Sequence, residues 1–480
     1  MGTGRTILID GSWREAAGGE TILVVDPSTG ETFGALARGT AEDVDEAVAA
    51  ARRAFERRWS RTSPAERGRI LARWAALIAE RQDELAWLEC RDVGKPLSQA
   101  RRDIAALVRY CEFYAGAADK LHGETIPYES GYTVLAIREP FGVTAHIIPW
   151  NYPAQVFGRS VIASLAAGNA VVVKPGEDAC QSILAVADLA ARAGLPPGVL
   201  NVVTGYGPEA GAALAGHSGV DHISFTGSPE TGTLVQQAAA VSNRPVTMEL
   251  GGKSPQIVFA DADPEPMLSV VYNAILQNAG QTCSAGSRLL VEESRFDEVV
   301  AALAERFRRT RVGPAETDPD CGPLISARQA ERVRGFLETA EHSGLPLVAS
   351  AELPADLPAG GFYVAPRLYA PVDPTHELSC REIFGPVLVA TPFRDEEEAI
   401  ALANGTQYGL VAGVWTKDGA RQLRVARALE CGQVFVNCYG AGGGIELPFG
   451  GVKRSGFGRE KGMEGIKSFT RLKTITLQHG

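Results

Sequence analysis

Short apolar runs alternate with helix-like stretches between residues 140 and 260, and no other feature constrains the fold of this chain as strongly. Strands that are apolar along their whole length and separated by helices form parallel sheets with both faces covered. Ligands of such sheets bind at the carboxyl ends of the strands. The segments that predict strands are Val143–Ile148, Ala170–Val173, Val199–Val203, Val220–Phe225 and Val246–Leu250, and Ser182–Ala193 and Pro229–Ala240 predict helices between them.

A second alternation of strands and helices runs from about residue 255 to 440, so the 480 residues predict two α/β domains. Residues 40–120 predict helices that precede both. Within this region, Ser63–Glu66 is a capping box with proline at the first helical position. It predicts a helix that runs to Gly94–Pro96.

Two segments have strand character outside these alternations. Tyr132–Ile137 is rich in β-branched and aromatic residues and predicts one arm of a hairpin within residues 122–139. Ser468–Leu477 alternates strongly, as a strand does, but has no partner nearby in the sequence. We expect it to join a distant sheet, and a sheet of another subunit is one candidate.

The composition excludes several classes of protein. The 47 Lys and Arg residues against 57 Asp and Glu residues give a net charge of −10, which disfavours nucleic acid and anionic membrane as partners. The 45% apolar and 22% charged residues are typical of a soluble globular protein, and no run of 18 apolar residues predicts a membrane span. The eight cysteines include no C-x-x-C pair, so neither a disulfide framework nor a metal site is expected. Residues 1–10 lack the pattern of a signal peptide, which favours a cytoplasmic location.

Two motifs that follow predicted strands favour a nucleotide-like ligand. In Phe225–Gly232 a strand runs into Gly227, and Ser228 then caps a helix whose free N–H groups and positive dipole end suit a phosphate. Lys174, at the carboxyl end of another strand, could bond ribose hydroxyls with Glu177 beside it. Taken singly, the first motif also fits a plain strand-to-helix turn, and the second fits a solvated charge. Gly207 lies in a Gly-Tyr-Gly segment that does not continue as a regular dinucleotide fingerprint.

Three residues predict a reaction centre. Cys283 has small neighbours on both sides, which leave a substrate room to reach the sulfur, and a thiolate is a strong nucleophile. Glu249 ends an apolar strand at a Gly-Gly turn, where a desolvated carboxylate can act as a base. Asn151 lies between Trp150 and Tyr152-Pro153, and its side-chain amide is a donor suited to an oxyanion. Each residue also has an ordinary alternative role. Cys283 could be a buried small residue, Glu249 a surface acid and Asn151 a residue of a proline turn. The role of Glu382 is equally undecided when it is taken by itself.

Taken together and in order, six motifs resemble the aldehyde dehydrogenase superfamily over about residues 5–478. They are Pro149–Asn151, Lys174–Glu177, Phe225–Ser228, Glu249–Lys253, Gly280–Cys283 and Glu382–Pro386. The resemblance implies two doubly wound α/β domains, one a Rossmann-like cofactor domain and one catalytic, plus a small β oligomerisation arm. The implied boundaries are 1–121 and 140–251 for the NAD-binding domain, 252–454 for the catalytic domain, and 122–139 with 455–480 for the arm. A homodimer or homotetramer is expected.

The resemblance also implies a role for each site residue. Cys283 is then the nucleophile, Glu249 the general base, Asn151 a holder of the oxyanion together with the Cys283 N–H, and Glu460 a helper in proton relay. The residues expected to bind NAD are Ile148, Trp150, Lys174, Glu177, Gly207, Gly227, Ser228, Leu250, Glu382 and Phe384. NAD is favoured over NADP, because Glu177 and Asp178 would repel a 2′-phosphate at the adenosine ribose.

The substrate expectation rests on Arg159, two helical turns after Asn151 and so on the same helix face, with Tyr152 and Gln277 as neighbours at the substrate. In relatives that act on simple aliphatic aldehydes this position tends to be aromatic. In relatives that act on succinic semialdehyde or aromatic aldehydes it is often Arg, which can pair with a carboxylate or stack on a ring. Gln277 stands where semialdehyde enzymes often have a second Arg, which favours an aromatic or bulky aldehyde. A semialdehyde, a broad aliphatic range, and Arg159 as a mere salt-bridge residue remain alternatives.

The implied reaction is NAD-dependent oxidation of an aldehyde to the acid through a Cys283 thiohemiacetal and thioester. Two kinds of relative typically lack a base at the position of Glu249. They are the acylating enzymes, which release the thioester to coenzyme A, and the phosphate-reductase relatives. A crystallin-like structural protein on the same fold would be signalled by loss of Cys283 or Glu249, and both are present. The segment Cys438–Leu447 is unusually rich in glycine and matches the region that borders the substrate mouth in relatives.

Overall fold

The computed structural model describes residues 6–440 and 444–480. The first five residues, and positions 441–443 of the Gly-rich segment predicted to border the substrate mouth, lie outside the described residues. The strands are β1 Ile7–Ile9, β2 Ser12–Arg14, β3 Thr21–Val25, β4 Thr32–Ala37, β5 Glu124–Ile126, β6 Tyr132–Pro140, β7 Val143–Ile148, β8 Ala170–Pro175, β9 Leu200–Val202, β10 His222–Thr226, β11 Val246–Glu249, β12 Pro255–Val258, β13 Arg288–Glu292, β14 Leu347–Ser350, β15 Arg367–Tyr369, β16 Val387–Phe393, β17 Tyr408–Gly409, β18 Val411–Trp415, β19 Gln433–Val436, β20 Val452–Lys453, β21 Gly456–Phe457 and β22 Thr470–Gln478.

The helices surround and connect these strands. They are α1 Ala41–Arg57, α2 Pro64–Glu80, α3 Gln82–Val93, α4 Leu97–Ala117, α5 Pro153–Val156, α6 Ala163–Ala167, α7 Gln181–Ala193, α8 Ala212–Gly216, α9 Pro229–Ala240, α10 Pro264–Leu276, α11 Phe296–Arg308, α12 Ala327–His342, α13 Glu377–Cys380, α14 Glu396–Asn404, α15 Gly419–Ala428 and α16 Gly462–Lys467. In the part of the chain that the structure describes, none of them is long and apolar enough to span a membrane.

The first large sheet has eight strands in the order β2-β1-β9-β8-β7-β10-β11-β21. Strands β7 to β11 are parallel within it, as the apolar runs predict. Successive residues of β8 face opposite sides. Val171 and Val173 pack into the cluster of α2, α3, α4 and α7, whereas Ala170 and Val172 pack into the cluster of α1, α8 and α9. Full burial of a valine side chain contributes roughly 1.5–3 kcal/mol, so this two-sided burial makes the strand uniformly apolar.

The second large sheet has seven strands in the order β14-β15-β16-β13-β12-β18-β19, and all its pairs are parallel except β14 with β15. Two mainly parallel sheets with helices confirm the predicted doubly wound α/β class. The domain boundaries given above stay a prediction. Strand β21, which falls in the segment assigned to the arm, pairs with β11 of the first sheet.

One local prediction needs correction. The helix predicted from Ser63 to Gly94 is broken at Arg81, whose backbone (φ −114°, ψ 22°) separates α2 from α3 without any Gly or Pro.

The strand predicted near the end of the chain joins a distant sheet, as expected, and its partner belongs to the same chain. Strand β22 runs antiparallel to β6 over nine residue pairs, from Thr470 opposite Pro140 to Gln478 opposite Tyr132. Strand β5 completes this three-stranded sheet.

The order β8-β7-β10-β11 places the carboxyl ends of four parallel strands side by side. The segments that follow β7, β8 and β10 carry Asn151, Glu177 and Gly227, and β11 ends at Glu249 itself. The sheet therefore brings together motifs that are far apart in the sequence, in the place where doubly wound folds bind ligands.

Candidate active site

A cavity of about 1630 Å³ lies at these strand ends and extends to the segments around Cys283 and Glu382 that belong to the second alternation. Nearly all the predicted site residues line it. Those lining it are Ile148, Trp150, Asn151, Tyr152, Arg159, Lys174, Glu177, Gly207, Gly227, Ser228, Glu249, Gln277, Cys283, Glu382 and Phe384. The structure does not place Leu250 and Glu460 on the cavity wall. Leu250 packs against Gly232 of α9, and Glu460 is completely buried behind Arg159.

The segment before Cys283 is held in an unusual backbone conformation. Asn278 and Ala279 are both buried in the left-handed region, with φ of +49° and +53°. A residue with a β-carbon in such a conformation costs of order 1–3 kcal/mol, which the surrounding contacts must offset. The next residue, Gly280, also has positive φ, and a β-carbon there would collide with the carbonyl oxygen of Gly385. The segment that presents Cys283 is therefore strained and tightly seated.

The Cys283 side chain is partly exposed to the cavity. Burial raises the pKa of its thiol to about 11, and the carboxylates of Glu382 and Glu249 act in the same direction. The Arg159 guanidinium and, more weakly, the Lys461 ammonium oppose this rise in the pKa of Cys283. The ionisation of this sulfur therefore depends on the charges around it, as expected for a reactive thiol.

Glu249 is 2% exposed, and neither of its carboxylate oxygens has a hydrogen-bond partner among the described residues. Burial raises its pKa well above the usual value, and the neighbouring Glu460 raises it further, while Arg159 lowers it. Gly450 packs so close that a β-carbon there would lie 2.9 Å from Glu249 Oε1. A buried carboxylate without partners is rare, and it can take up a proton from a bound molecule.

Asn151 both donates a hydrogen bond to the segment that precedes Cys283 and accepts one from it. Its side-chain Nδ2 donates to the carbonyl of Gln281 at 2.9 Å, and its own carbonyl accepts from Asn278 Nδ2 at 3.0 Å. The neighbouring Tyr152 is hydrogen-bonded through Oη to Thr282 Oγ1 at 2.8 Å. The amide of Asn151 is thus fixed against the segment that carries Cys283.

Arg159 lies in a π-helical turn, Phe157–Ile162, between α5 and α6, and it is only 6% exposed. Its Nε forms an ion pair with Glu460 Oε2, and its Nη2 donates to Thr226 Oγ1 at 3.2 Å. The guanidinium lies over the ring of Phe449, 5.1 Å from the centroid. Glu460 in turn accepts from Ser224 Oγ at 3.0 Å. Arg159 thus faces the cavity with its charge already compensated.

A second group of residues forms a cleft beside the strand ends. Lys174 Nζ is paired with Glu177 Oε2 at 2.7 Å. Burial favours a higher pKa for Glu177, but Lys174 and backbone N–H groups, including that of Gly207, bring it below the usual value. Ser228 caps α9 by accepting from the Thr231 N–H at 3.2 Å, as its sequence position predicts.

The opposite wall of the cleft comes from the segment Glu382–Phe384. Glu382 accepts from the Gly252 N–H at 2.9 Å, and a β-carbon at Gly251 would collide with the Glu382 carboxylate. Burial raises the pKa of Glu382 to about 7, while the hydrogen bond from Gly252 lowers it. Phe384, with φ of +61°, packs edge-on against Trp150 at a centroid distance of 5.5 Å.

The chain matches the family model described as "Aldehyde dehydrogenase family" over residues 13–475. The chain belongs to the aldehyde dehydrogenase family. The family predicted from the six motifs is thereby confirmed. Among curated relatives, the mitochondrial benzaldehyde dehydrogenase of Antirrhinum majus is 42% identical over 98% of this chain and 88% of its own length. The NADP/NAD-dependent aldehyde dehydrogenase PuuC of Escherichia coli K12 is 44% identical over 98% of this chain and 94% of its own length.

Solved structures agree with this family assignment. A crystal structure from Burkholderia cenocepacia superposes on this aldehyde dehydrogenase with a TM-score of 0.98 at 63% identity, over 99% of this chain and 100% of that one. The NAD⁺ complex of aldehyde dehydrogenase from Bacillus cereus gives a TM-score of 0.96 at 38% identity, over 99% of this chain and 97% of that one.

Sequence reasoning missed several residues of the site in this aldehyde dehydrogenase. Phe449, Ser224 and Thr226 contact Arg159 or Glu460, and Gln99 Oε1 accepts from the Asn278 N–H at 2.9 Å. Thr226 lies inside the Phe225–Ser228 motif, but nothing in that motif indicates a contact with Arg159. The other three residues lie outside the six motifs, so only the fold reveals their contacts. Within the described ranges, no group of three or more His, Cys, Asp or Glu residues could hold a metal ion.

Proposed function

We propose that this aldehyde dehydrogenase oxidises an aromatic or bulky aldehyde to its carboxylic acid with NAD as acceptor. The observation that carries the proposal is that Cys283 and the unbonded carboxylate of Glu249 face one cavity, which continues into a cleft with Lys174 and Glu382. A nucleophile, a base and a cofactor cleft in one cavity are the parts that this reaction needs.

The residues of the cleft fit NAD. The Lys174–Glu177 pair offers a donor and an acceptor to the adenosine ribose, and the N-terminus of α9, at Gly227 and Ser228, suits the pyrophosphate. Glu382, opposite them, suits the nicotinamide ribose. The chemistry that NAD supplies when bound is acceptance of a hydride, which converts the Cys283 thiohemiacetal to a thioester.

In the first half of the proposed reaction, the Cys283 thiolate attacks the aldehyde carbon. The new S–C bond forms as the carbonyl π electrons move to oxygen, and Asn151 Nδ2 with the Cys283 N–H holds that oxyanion. Because Asn151 is bonded to both Gln281 and Asn278, its position relative to the sulfur is set before substrate arrives.

In the second half, Glu249 takes a proton from water as the water oxygen attacks the thioester. The C–S bond then breaks, the acid leaves, and Cys283 is released as thiolate. A base at Glu249 favours release to water over release to coenzyme A. Turnover with and without coenzyme A tests this, since acyl transfer would make turnover depend on coenzyme A.

Two observations support an aromatic substrate over a semialdehyde. Arg159 is already paired with Glu460, so a substrate carboxylate would meet a compensated cation. The cavity wall is also aromatic, with Tyr152, Tyr439 and Phe449 facing it. One relative is named a benzaldehyde dehydrogenase.

The comparison that tests this substrate class is kcat/KM for benzaldehyde, succinic semialdehyde and hexanal. We expect benzaldehyde to lead. A lead for succinic semialdehyde would replace the proposal by a semialdehyde dehydrogenase, and a lead for hexanal would point to a broad aliphatic range. If the protein oxidises no aldehyde with either nicotinamide cofactor, the remaining interpretation is a structural protein on this fold.

We further propose a cytoplasmic homodimer or homotetramer, with neither nucleic acid nor membrane as partner. The sheet of β5, β6 and β22 supports self-association, because Leu472 is 62% exposed on it and Leu477 and Ile126 are also exposed. Light scattering after size-exclusion chromatography tests this, and Leu472→Lys should weaken the assembly. A monomer at micromolar concentration would contradict it.

A further inference from the structure

Arg159 is a buried cation that forms an ion pair with Glu460 and interacts electrostatically with Glu249 and Cys283. Its contacts are the ion pair with Glu460, the hydrogen bond to Thr226 and the ring of Phe449. The side chains of Arg159 and Glu460 are 8% and 0% exposed. Removing one partner of such a buried pair leaves an uncompensated charge in the interior.

The charged and titratable groups around it come from several parts of the chain. Those acting on Arg159 are Glu460, Glu249, Cys283 and Tyr110. Those acting on Cys283 are Arg159, Lys461, Glu382 and Glu249. The groups named here are two cations, three carboxylates, a thiol and the Tyr110 phenol, and a third cation, Arg459, acts on Glu249. Burial lowers the pKa of Lys461 to about 8, whereas Arg159 keeps its charge throughout the working range of such an enzyme.

Resting on the proposed function, we infer that Arg159 is a positioning residue for both halves of the reaction. Its guanidinium holds Glu460 beside Glu249, and its positive charge stabilises the Cys283 thiolate against the surrounding carboxylates. It does not bind a polar group of the substrate.

The contacts explain why a substrate role is disfavoured. Arg159 forms an ion pair with Glu460 through Nε, its Nη2 donates to Thr226, and its guanidinium lies over the ring of Phe449. A substrate carboxylate would have to displace Glu460, which Ser224 holds through its other oxygen. The aldehyde specificity should therefore come from the shape of the aromatic wall, and Arg159 should affect all aldehydes alike.

The test is alkylation of Cys283 by iodoacetamide in the full-length protein without substrate, followed across pH by mass spectrometry of the Cys283 peptide. Arg159→Gln should slow alkylation near neutral pH by about tenfold or more, because loss of a nearby opposite charge typically moves a pKa by at least a unit. Arg159→Lys keeps the charge and should stay within about threefold of wild type. Arg101→Gln removes a surface arginine that is paired with Asp83, and it should leave the rate unchanged.

Because Arg159→Gln leaves Glu460 buried without its partner, the double variant Arg159→Gln/Glu460→Gln is measured beside it. We expect the double variant to regain thermal stability while Cys283 alkylation stays slow. Wild-type alkylation rates in a folded Arg159→Gln or double variant would overturn the inference. So would a rise in KM for one class of aldehyde with alkylation unchanged, which would make Arg159 a substrate residue.

The outcome is separable from that of the proposed function. The alkylation assay needs neither aldehyde nor cofactor, so it can succeed in a protein that oxidises no aldehyde. Conversely, an active enzyme with an Arg159-independent thiol would keep the proposed function and reject this inference.

Discussion

The side-chain amide of Asn278 donates a hydrogen bond to the main-chain carbonyl of Asn151 at 3.0 Å. Asn151 in turn donates through its own side chain to Gln281, two residues before Cys283. The proposed oxyanion donor and the strained segment that carries the nucleophile are therefore tied to each other directly, although they come from different sheets. This reciprocal bonding fixes the distance on which the first step depends.

Asn278→Ala should lower kcat by about tenfold to a hundredfold, because displacement of a catalytic group by an ångström is enough for such a loss. The variant also loses a residue suited to the left-handed backbone, at φ of +49°. The measurement is kcat with the aromatic aldehyde, together with the melting temperature. Asn278→Asp is the matched control, since it tolerates the same backbone but cannot donate. Unchanged kcat in both variants would show that this bond does not position Asn151.

Cys283→Ala should abolish hydride transfer, because no thiohemiacetal can form. Glu249→Gln should still produce a burst of reduced cofactor, of about one equivalent per competent site, and then turn over about 10²-fold more slowly or worse. Stopped-flow absorbance at 340 nm separates the two phases. A Glu249→Gln enzyme with normal steady-state turnover would remove Glu249 from the role of base.

The pH dependence of turnover follows from the raised pKa of Glu249, which burial and Glu460 produce. The base acts only when ionised, so the rate of thioester hydrolysis should keep rising with pH well above the ordinary carboxyl value of 4.5. The measurement is the slow phase after the burst, at saturating aldehyde and NAD. A rate that falls or stays flat above that value would contradict the assignment.

The same raised pKa of Glu249 predicts a trend in stability. In the unfolded chain the carboxyl ionises near its ordinary value of 4.5, whereas the folded protein retains the proton to higher pH. The stability conferred by the neutral carboxyl is thus complete below 4.5 and is lost as the pH rises towards the folded-state value. The melting temperature of Glu249→Gln relative to wild type should therefore increase from about pH 5 to pH 8. A constant difference would mean that Glu249 is ionised in the folded enzyme throughout.

NAD should be preferred over NADP by about 5- to 150-fold in kcat/KM, which corresponds to roughly 1–3 kcal/mol of repulsion at a 2′-phosphate. Glu177 lies in the cleft beside Lys174, and Asp178 follows it. Arg328 contacts Asp178 only at 3.8 Å and is largely exposed, so it compensates little of that charge. Glu177→Ser should relax the preference, whereas Asp188→Asn, on the next helix, should not. Equal kcat/KM for the two cofactors in wild type would refute the prediction.

The sequence predicts the parallel strands well because two-sided burial leaves a continuous apolar run, as in β7 and β8, that needs no tertiary information to be recognised. It fails where pairing is decided by distant segments. Strand β22 alternates clearly, but nothing in its composition identifies β6 as its partner. The break at Arg81 likewise has no local signal, and α3, which follows it, packs against α4 and α7.

The site shows the same division. Cys283, Glu249 and Asn151 stand in segments whose small residues, turns and prolines are visible in the sequence, so their presence in one cavity is predictable. The partnership of Arg159 with Glu460 is not, because it depends on how the turn after α5 meets the segment before α16. The sequence leaves Arg159 open to a substrate role or to a salt bridge, and the structure shows it paired with Glu460.

The seating of Gly280 against the carbonyl of Gly385 has a thermodynamic consequence. Gly280 stands three residues before Cys283, and Gly385 stands three residues after Glu382. The segment that carries the proposed nucleophile and the segment proposed to bind the nicotinamide ribose are therefore in close backbone contact. A movement of either segment must be accommodated by the other, which makes occupancy of the cleft and exposure of the sulfur linked equilibria. By reciprocity, the factor by which cofactor changes the affinity of the sulfur for an aldehyde equals the factor by which the aldehyde changes the affinity of the cleft for cofactor.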